Sequence, residues 1–373
     1  MRRFVIRALA VAQKEVLHVM RDVRTLYLAL GMPVVLLLLF GYGVSFDLDH
    51  VPLVVVDQDG SPTSRELVRR FVAGDEMVEV ARLTDPALAE GYFQRGEASA
   101  ALIVPAGFGR DVGEGRATTL EILVDGADNA TATQVLAKAD ALIATIGAEL
   151  VTGGVRPTLP IEARVLTYFN PAGRSALYLV PGLAAYVLAI VAVLLTALTI
   201  AREWERGSMF QLWTTPVSRI ELIVGKLLPY LALGLVAVLL VLAAGAWVFD
   251  VPMRGDPVVI AVDSLLFLLG MLGQGLLVSV VTKNQMVATQ VGTLSSMLPS
   301  LLLSGFVFPI ENMPRPLQVF SNVVPARYFI DALRGVLLRG NGFAELWPDS
   351  VALAIFAAVV LTIATVRFKR EIG

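Results

Sequence analysis

Residues 201–219 read AREWERGSMFQLWTTPVSR, a short polar stretch between two long apolar runs. The runs cover residues 176–200 and 222–249, and each is long enough to cross a bilayer as a helix, which takes about 20 apolar residues. The charged side chains of the stretch are Arg202, Glu203, Glu205, Arg206 and Arg219. Because charges are costly inside lipid, we expect this stretch to form a tight loop at one face of the membrane.

The middle of the loop has apolar residues at helical spacing beside the charges: Met209, Phe210, Leu212 and Trp213. This pattern predicts a short amphipathic helix lying along the membrane surface. Pro216 would end that helix. Ser218, followed three residues later by Glu221, is typical of a capping box at the start of the next helix.

Residues 202–227 follow the pattern RExExGSMxQLxxTPVSRxELxxGKL, which resembles the cytoplasmic loop of type-2 ABC exporter permeases. The resemblance implies that the short helix is a coupling element, which docks on a separate ATPase subunit. Taken alone, the loop would also suit an ordinary charged turn between two membrane helices. The implied ATPase-coupling residues are Arg202, Glu203, Glu205, Arg206, Gly207, Met209, Leu212, Thr215 and Pro216.

The composition is that of an integral membrane protein, since 56% of the 373 residues are hydrophobic and the mean hydropathy is +0.72. A net charge of −2 provides no basic field for nucleic acid. The chain has no cysteine, which excludes disulfides and cysteine-based metal sites, and its two histidines exclude a histidine-rich metal cluster. We therefore expect no metal site.

The N-terminal segment, residues 1–24, is predicted to be an amphipathic helix at the membrane interface. Its basic stripe contains Arg3, Arg7, Lys14 and Arg21, and its apolar stripe contains Val5, Leu9, Ala12, Val16 and Met20. A plain helix packed on a partner would have the same pattern. The basic residues before the first span, 25–46, place the N-terminus in the cytoplasm by the positive-inside rule.

Residues 47–172 differ from the rest, because their apolar runs are short and charges are frequent. Alternating strand and helix patterns predict an extracytoplasmic α/β domain inserted between the first two spans. Ser61 and Pro62 are expected to begin one of its helices. Asp57 and Asp59 suit a turn better than a calcium loop, whose other ligand positions are missing. No nucleophile–base pair is present, so we interpret the domain as a binding or docking module.

Five more spans complete a membrane α-helical fold of six transmembrane helices: 173–201, 219–249, 257–282, 285–304 and 346–367. Asp263, inside the fourth, is either a functional acid or one favoured by the helix dipole. Gln290, Thr293 and Ser296 share one face of the fifth, where they could serve helix packing or line a translocation path.

Residues 305–343 contain four prolines between Pro309 and Pro325, which rule out one continuous helix. The segment resembles the stretch between the last two spans of type-2 ABC permeases. That resemblance implies extracytoplasmic re-entrant helices, which dip into the outer leaflet without crossing it. The matching positions of this outer motif are Gly305, Pro309, Asn312, Pro314, Pro325 and Arg334.

No GxxxxGK[ST] phosphate loop occurs in the sequence, so the chain lacks the usual cradle for ATP hydrolysis. The resemblance implies a permease subunit rather than an enzyme. The chain itself would bind no cofactor, and ATP and Mg would be bound by the partner ATPase subunit. Its cargo would be a hydrophobic or amphipathic, drug-like molecule moved out of the cytoplasm or inner membrane.

The same resemblance implies a multi-pass protein of the bacterial inner membrane with both termini in the cytoplasm. Its implied partners are an ABC ATPase subunit, a second permease in a homodimer or heterodimer, the lipid bilayer, and a periplasmic adaptor with an outer-membrane channel. Two alternatives stay open. One is a lipid or polymer exporter of the same class, and the other is a membrane receptor with a ligand-sensing outer domain.

Overall fold

A computed structural model of the chain divides into two units. One comprises residues 1–45 and 168–373 and is helical, and the other comprises residues 46–167 and contains a β-sheet. We call them the helical unit and the α/β unit. The structure describes residues 2–43, 51–73, 77–116, 118–125, 132, 135–136, 138–143, 174–209 and 216–368.

The helical unit begins with α1 (Arg2–Arg21), α2 (Val23–Leu26), a π-helical turn (Tyr27–Gly31) and α3 (Met32–Gly43). Asp22 separates α1 from α2, and its carboxylate accepts a hydrogen bond from the Thr25 hydroxyl at 2.8 Å. Pro33 follows the π-helical turn. Because proline lacks an N–H and crowds the carbonyl four residues earlier, the wider turn accommodates it within one continuous helical segment.

Helix α1 contacts the rest of the helical unit mainly through a face other than its apolar stripe. Val5, Leu9 and Met20 are exposed, whereas Ala8 and Glu15 are buried. Gly225, in a later helix, packs closely against α1: a Cβ on it would lie 2.7 Å from the Ala8 carbonyl oxygen. The exposed apolar stripe remains free for lipid, as an interfacial helix requires.

The α/β unit contains β1 (Val51–Asp57), α4 (Pro62–Phe71), β2 (Met77–Leu83), α5 (Ala87–Gln94), β3 (Ala100–Val104), α6 (Phe108–Gly113) and β4 (Glu121–Val124). The strand order is β2-β1-β3-β4, with β1 parallel to β2 and β3, and β4 antiparallel to β3. Strand β1 is buried on both faces between two apolar clusters, which explains its nearly continuous apolar sequence. The predicted alternation of strands and helices is confirmed between residues 51 and 124, whereas the extracytoplasmic location stays a prediction.

Local signals in the α/β unit are confirmed as well. The Ser61 hydroxyl accepts a hydrogen bond from the Ser64 N–H at 3.1 Å and caps α4, whose first residue is Pro62. The Asp57 carboxylate accepts from the Asp59 and Gly60 N–H groups at 3.1 and 2.9 Å. These bonds form the predicted turn. No group of residues that could hold a metal ion occurs in the described part of the chain.

The remaining long helices are α7 (Ser175–Glu205), α8 (Arg219–Val248), α9 (Pro257–Thr282) and α10 (Gln285–Leu302). Short elements follow: a 3-10 turn (Ile310–Asn312), α11 (Arg315–Ser321), α12 (Pro325–Arg334) and a π-helical turn (Gly335–Arg339). The last helix is α13 (Phe343–Arg367). As the four prolines predicted, no long helix occurs between α10 and α13.

Helix α7 lies at the centre of the helical unit, and most of its apolar length is buried. It approaches α9 so closely that a Cβ on Gly275 would lie 2.2 Å from the Val193 carbonyl oxygen. The Thr196 hydroxyl donates to the Leu272 carbonyl at 2.7 Å across the same contact. A small residue and an interhelical hydrogen bond are typical of helices that pack in a membrane.

By length and composition, four helices in the described part of the chain could cross a membrane: α7, α8, α9 and α13. Two other predicted spans correspond to α10, with 18 residues, and to the apolar helical segment Tyr27–Gly43. The chain is therefore mostly helical and apolar. The count of six spans stays a prediction.

Candidate functional site

The polar loop begins inside α7, because this helix continues through Arg202 to Glu205. Gly207 then turns the chain with a φ of +69°, a conformation that favours glycine. After the loop, α8 starts at Arg219 with the predicted capping box: the Ser218 hydroxyl accepts from the Glu221 N–H, and the Glu221 carboxylate accepts from the Ser218 N–H at 2.6 Å. Pro216 precedes this cap.

The predicted surface helix falls mainly on residues 210–215, which include Leu212 and Thr215 and lie outside the described residues. Met209, the last described position before them, is completely buried. Its side chain belongs to the core of the helical unit. Met209 therefore anchors the loop to the protein and does not present a surface in this chain.

Four charged residues form a cluster at the end of the helical unit that carries the loop, which we call the loop end. The Lys226 ammonium on α8 lies 3.0 Å from a carboxylate oxygen of Glu15 on α1 and 3.0 Å from one of Glu203 on α7. Lys14 donates to the other Glu203 oxygen at 3.1 Å. Lys226, Glu15 and Glu203 are only 2%, 5% and 8% exposed. We call these four residues the buried charge cluster.

The ion pairs of the cluster join α1, α7 and α8. An unpaired buried charge is strongly unfavourable, whereas a paired one is tolerated when its hydrogen bonds are made. Burial raises the pKa of Glu15, but the Lys226 ammonium, with Lys14 and His18, lowers it by more, so the pKa lies below its usual value. Glu15 is thus a carboxylate that holds α1 against α8.

Glu203 was assigned from the sequence to the ATPase-coupling residues, and the structure shows it turned inward. Its carboxylate contacts Lys14 and Lys226, so the chain leaves it little surface to offer a partner. Glu205, Arg206 and Gly207 are exposed. Glu203 and Glu205, two positions apart near the end of the helix, therefore face opposite ways.

Glu205 connects the loop to the turn between α9 and α10. Its carboxylate accepts a hydrogen bond from the Gln285 backbone N–H at 2.8 Å and contacts the Gln285 side-chain amide. Lys283 in that turn has a φ of +52°, and the Asn284 side chain caps α10 by accepting from the Val287 N–H. The two polar turns of the loop end thus form one surface.

Asp263 is completely buried in α9 and is paired with a neutral group. The Ser350 hydroxyl on α13 donates to one carboxylate oxygen at 2.6 Å, and the other oxygen has no hydrogen-bond partner among the described residues. The N-cap of α9 is Asp256, so Asp263 lies in the second turn. Because dipole effects fade after the first turn, the dipole explanation is weak here.

The residues on the polar face of α10 differ in their exposure. Gln290 is exposed, Thr293 is half-buried, and Ser296 is 1% exposed with its hydroxyl bonded to the Gly292 carbonyl at 2.9 Å. Gly292 packs against Val193 on α7. Ser296 is therefore a packing residue, and Gln290 is the member of this face that is open to other molecules.

At the opposite end of the helical unit, which we call the far end, Arg334 ties the outer motif to α7. Its guanidinium donates to the carbonyls of Gly305 and Tyr178 at 3.3 and 3.4 Å and lies 4.0 Å from the centre of the Tyr178 ring. The Tyr178 hydroxyl donates to the Phe306 carbonyl at 2.9 Å. Phe306 packs on Gly182, where a Cβ would lie 2.1 Å from its ring.

The other residues of the outer motif shape the backbone. Gly305 has a φ of +78°, which favours glycine. Pro309 and Asn312 bound the 3-10 turn, and Pro314 and Pro325 start α11 and α12. Proline suits such positions because a helix start needs no N–H donor there.

Comparison with known proteins decides the family. The family model for ABC-2 family transporter proteins matches residues 23–366. The chain belongs to the ABC-2 transporter family. The resemblance found in the sequence is confirmed, and as an ABC-2 member the chain is a permease subunit of an ABC exporter.

Its relatives in the ABC-2 family cover nearly the whole chain. The probable multidrug ABC transporter permease YbhS of Escherichia coli is 30% identical over 98% of this chain and 97% of its own length. The related permease YbhR of Escherichia coli is 26% identical over 96% and 97%. The linearmycin resistance permease protein LnrN of Bacillus subtilis is 22% identical over 94% and 96%.

Four structural residues of this ABC-2 permease were missed from the sequence: Glu15, Lys226, Tyr178 and Ser350. Two had a detectable signal. Lys226 lies within an apolar run, and a charge there needs a partner. Glu15 lies in a row with Ala8, Ala12 and Val19, at spacings of a helical face. Tyr178 and Ser350 had no local signal that we can identify.

Proposed function

We propose that the chain is the membrane half of an exporter with six spans, formed by the helical segment after α1 together with α7, α8, α9, α10 and α13. The α/β unit would then lie outside the cytoplasm, between the first and second spans. Basic residues before the first span, among them Arg7, Lys14 and Arg21, support a cytoplasmic N-terminus. An even number of spans returns the C-terminus to the same side.

A separate ATPase subunit would dock at the loop end, on Arg202, Glu205, Arg206, Gly207, the undescribed positions Leu212 and Thr215, and Pro216. The chain itself would bind no cofactor, and ATP and Mg would be bound by that subunit. The buried charge cluster is the observation that carries this proposal. Because the cluster connects the start of the loop, at the end of α7, to α1 and α8, a displacement of the loop by the docked ATPase would move these three helices together.

The cargo proposed is a hydrophobic or amphipathic small molecule. The names of the relatives support it, since YbhS and YbhR are probable multidrug permeases and LnrN is a linearmycin resistance permease. A second permease, in a homodimer or heterodimer, would complete the path. We place the chain itself in the bacterial inner membrane, and propose a periplasmic adaptor and an outer-membrane channel as further partners.

The first test is a pull-down of the native complex in gentle detergent, with mass spectrometry of the proteins that co-elute. We expect a nucleotide-binding subunit at about one per permease, and a photo-crosslinker at Arg206 should join the two. If no ATPase is recovered even with an ATP analogue and the crosslinker, the proposal fails. A receptor with a ligand-sensing outer domain would then be the better hypothesis.

The second test is charge reversal at the exposed end of α7. Glu205→Arg should lower drug-stimulated ATPase activity about tenfold while the protein still folds, since a tenfold loss needs only about 1.4 kcal/mol. Glu205→Gln is the matched control, because it keeps an acceptor for the Gln285 N–H. Normal stimulation in Glu205→Arg would count against docking at this position.

A further inference from the structure

A cavity of about 320 Å³ lies beside the loop end, between the N-terminal helices and α7. One wall is a row of α7 side chains at helical spacing: Val187, Ile190, Val191, Leu194, Leu195 and Leu198. Leu28, Met32 and Leu36 face it from the π-helical turn and α3. The apolar row extends for roughly 16 Å at 1.5 Å per residue, so this part of the cavity is a long, narrow apolar slot.

The end of the cavity nearest the loop is polar and carries charge. Lys14, Glu15, Glu203 and Lys226 all line it, and these two cations and two carboxylates balance each other within the buried charge cluster. The same α7 face then continues past Leu198 to Arg202 and Arg206. The slot thus changes from apolar to charged along a single helix face.

Among the described residues, the two arginines have no carboxylate counter-ion. Arg202 lies 2.9 Å from the His18 ring nitrogen, and neither Arg202 nor Arg206 forms an ion pair with a carboxylate in the described part of the chain. Two guanidinium groups one helical turn apart can bind an anion by bidentate hydrogen bonds. The cavity therefore has a net positive end and an apolar body.

We infer that this cavity binds an amphiphile with an anionic head group and a linear apolar tail. The head group, a phosphate, sulfate or carboxylate, is held by Arg202 and Arg206, and the tail lies along the α7 row between Val187 and Leu198. The volume lies within the range of small-molecule pockets, which begins at about 300 Å³. A neutral or zwitterionic head group would leave the two charges uncompensated.

Such a ligand can come from two sources, the anionic lipids of the membrane or an anionic amphiphilic cargo. The inference names a ligand class for the proposed permease and in that sense rests on the proposed function. Binding needs no ATPase, however. The experiment therefore uses the full chain without its partner subunit. A negative binding result would not affect the pull-down of the ATPase, and a negative pull-down would not affect the binding result.

Binding of radiolabelled dodecyl phosphate is measured on the full chain in nanodiscs of phosphatidylcholine. Dodecyl phosphocholine and dodecyl maltoside serve as zwitterionic and neutral competitors with the same tail. We expect dodecyl phosphate to bind at least about tenfold more tightly than either, since a hydrogen-bonded charge contributes more than the about 1.4 kcal/mol that a factor of ten requires. Equal affinities for the three would overturn the inference.

Variants separate the head-group and tail contacts. Arg202→Gln and Arg206→Gln should each weaken dodecyl phosphate binding about tenfold. Arg202→Lys, which keeps the charge but not the planar fork, should bind with an affinity between those of Arg202→Gln and the parent chain. Arg219→Gln is the matched control, because Arg219 is an exposed arginine of the same loop that does not line the cavity. A loss in Arg219→Gln equal to that in Arg202→Gln would mean surface attraction only.

Filling the slot tests the tail. Leu194→Trp should abolish binding, whereas Leu239→Trp, on the exposed side of α8, should not. Replacing phosphatidylcholine by phosphatidylglycerol then identifies the source: competition by that lipid indicates a membrane lipid, and its absence indicates a cargo. Unchanged binding in both Leu194→Trp and Arg202→Gln would show that the cavity is not the site.

Discussion

At the loop end Lys226 is buried against two carboxylates, whereas at the far end Arg334 is held by two carbonyl oxygens and a tyrosine ring. Both contacts join segments distant in sequence. They differ in what remains when the cation is removed. At the loop end two buried charges would lose their partner, while at the far end only neutral carbonyls would.

This difference predicts unequal sensitivity of the two ends. Removing one member of a buried ion pair is far more destabilising than replacing the whole pair by neutral groups. A carbonyl that loses one donor loses only a hydrogen bond. At the far end, Arg334 donates to the Gly305 carbonyl and Tyr178 to the Phe306 carbonyl, so losing one of these bonds leaves the other in place. The loop end should therefore behave as one rigid joint, and the far end as a set of separable contacts.

The largest expected effect is that of Lys226→Met, which leaves Glu15 and Glu203 buried without their shared cation. We expect a loss of about 3–5 kcal/mol in the free energy of unfolding, measured by denaturant titration in detergent. The triple variant Glu15→Gln, Glu203→Gln, Lys226→Met should regain most of it. If the single variant is as stable as the parent chain, the ion pairs do not hold the loop end.

A smaller effect is expected at the far end. Arg334→Leu removes the hydrogen bonds to Gly305 and Tyr178 and should cost about 1–3 kcal/mol in the same titration. Arg334→Lys, which keeps the charge but not the planar fork, should lie between this variant and the parent chain. A loss as large as that of Lys226→Met would remove the distinction between the two ends.

The capping box tests whether the loop end also depends on local bonds. Ser218→Ala removes the acceptor for the Glu221 N–H and should cost about 1 kcal/mol. Ser218→Asp restores an acceptor at the N-cap, so its stability should return to within a few tenths of a kcal/mol. Unchanged stability in Ser218→Ala would show that the cap contributes nothing to α8.

The smallest effect concerns Asp59 in the α/β unit, a carboxylate held by neutral donors. A hydrogen bond with the Ser61 side chain lowers its pKa, burial opposes this, and the Gly109 and Gly107 N–H groups lower it further. A lowered pKa means that the stabilisation is present above the unfolded value of about 3.9 and is lost as the pH falls through the folded value.

Hydrogen exchange measures this local effect. Protection of the Gly107 and Gly109 amides, which donate to Asp59 at 2.9 and 3.0 Å, should fall below pH about 3.9 relative to neighbouring amides. Asp59→Asn, which cannot titrate, is the control and should show no such step. The same step in both proteins would assign it to another group.

Several features were predictable because the bonds that make them are local. Ser61 and Ser218 cap helices through N–H groups three residues away, and Asp57 closes a turn within three residues. The long apolar runs predicted the helices that could cross a membrane, four of which the described structure bears out by length and composition. The four prolines from Pro309 to Pro325 predicted the short elements of the far end. In each case the deciding interaction lies within one stretch of sequence.

The tertiary features had no such local basis. Glu15 and Lys226 are 211 residues apart, and no local sequence pattern around either residue predicts that the two form an ion pair. Glu203 carries the same charge as Glu205, yet it faces inward because its place on α7 points at α1 and α8. For the same reason, the sequence did not predict that Ala8 and Glu15 form the buried face of α1, although its apolar stripe, apart from Ala12, is exposed as an interfacial helix requires.

The sequence alone determined where the apolar helices lie and where several of them begin and end, because hydropathy and capping are properties of neighbouring residues. The motifs in residues 202–227 and 305–343 carried the family resemblance that implied a permease. Only the tertiary structure decided which charges of the loop are buried, which are exposed, and which remain without a counter-ion beside the cavity. Helix packing brings together residues from α1, α7 and α8, and the cost of burying a charge depends on that assembled surrounding.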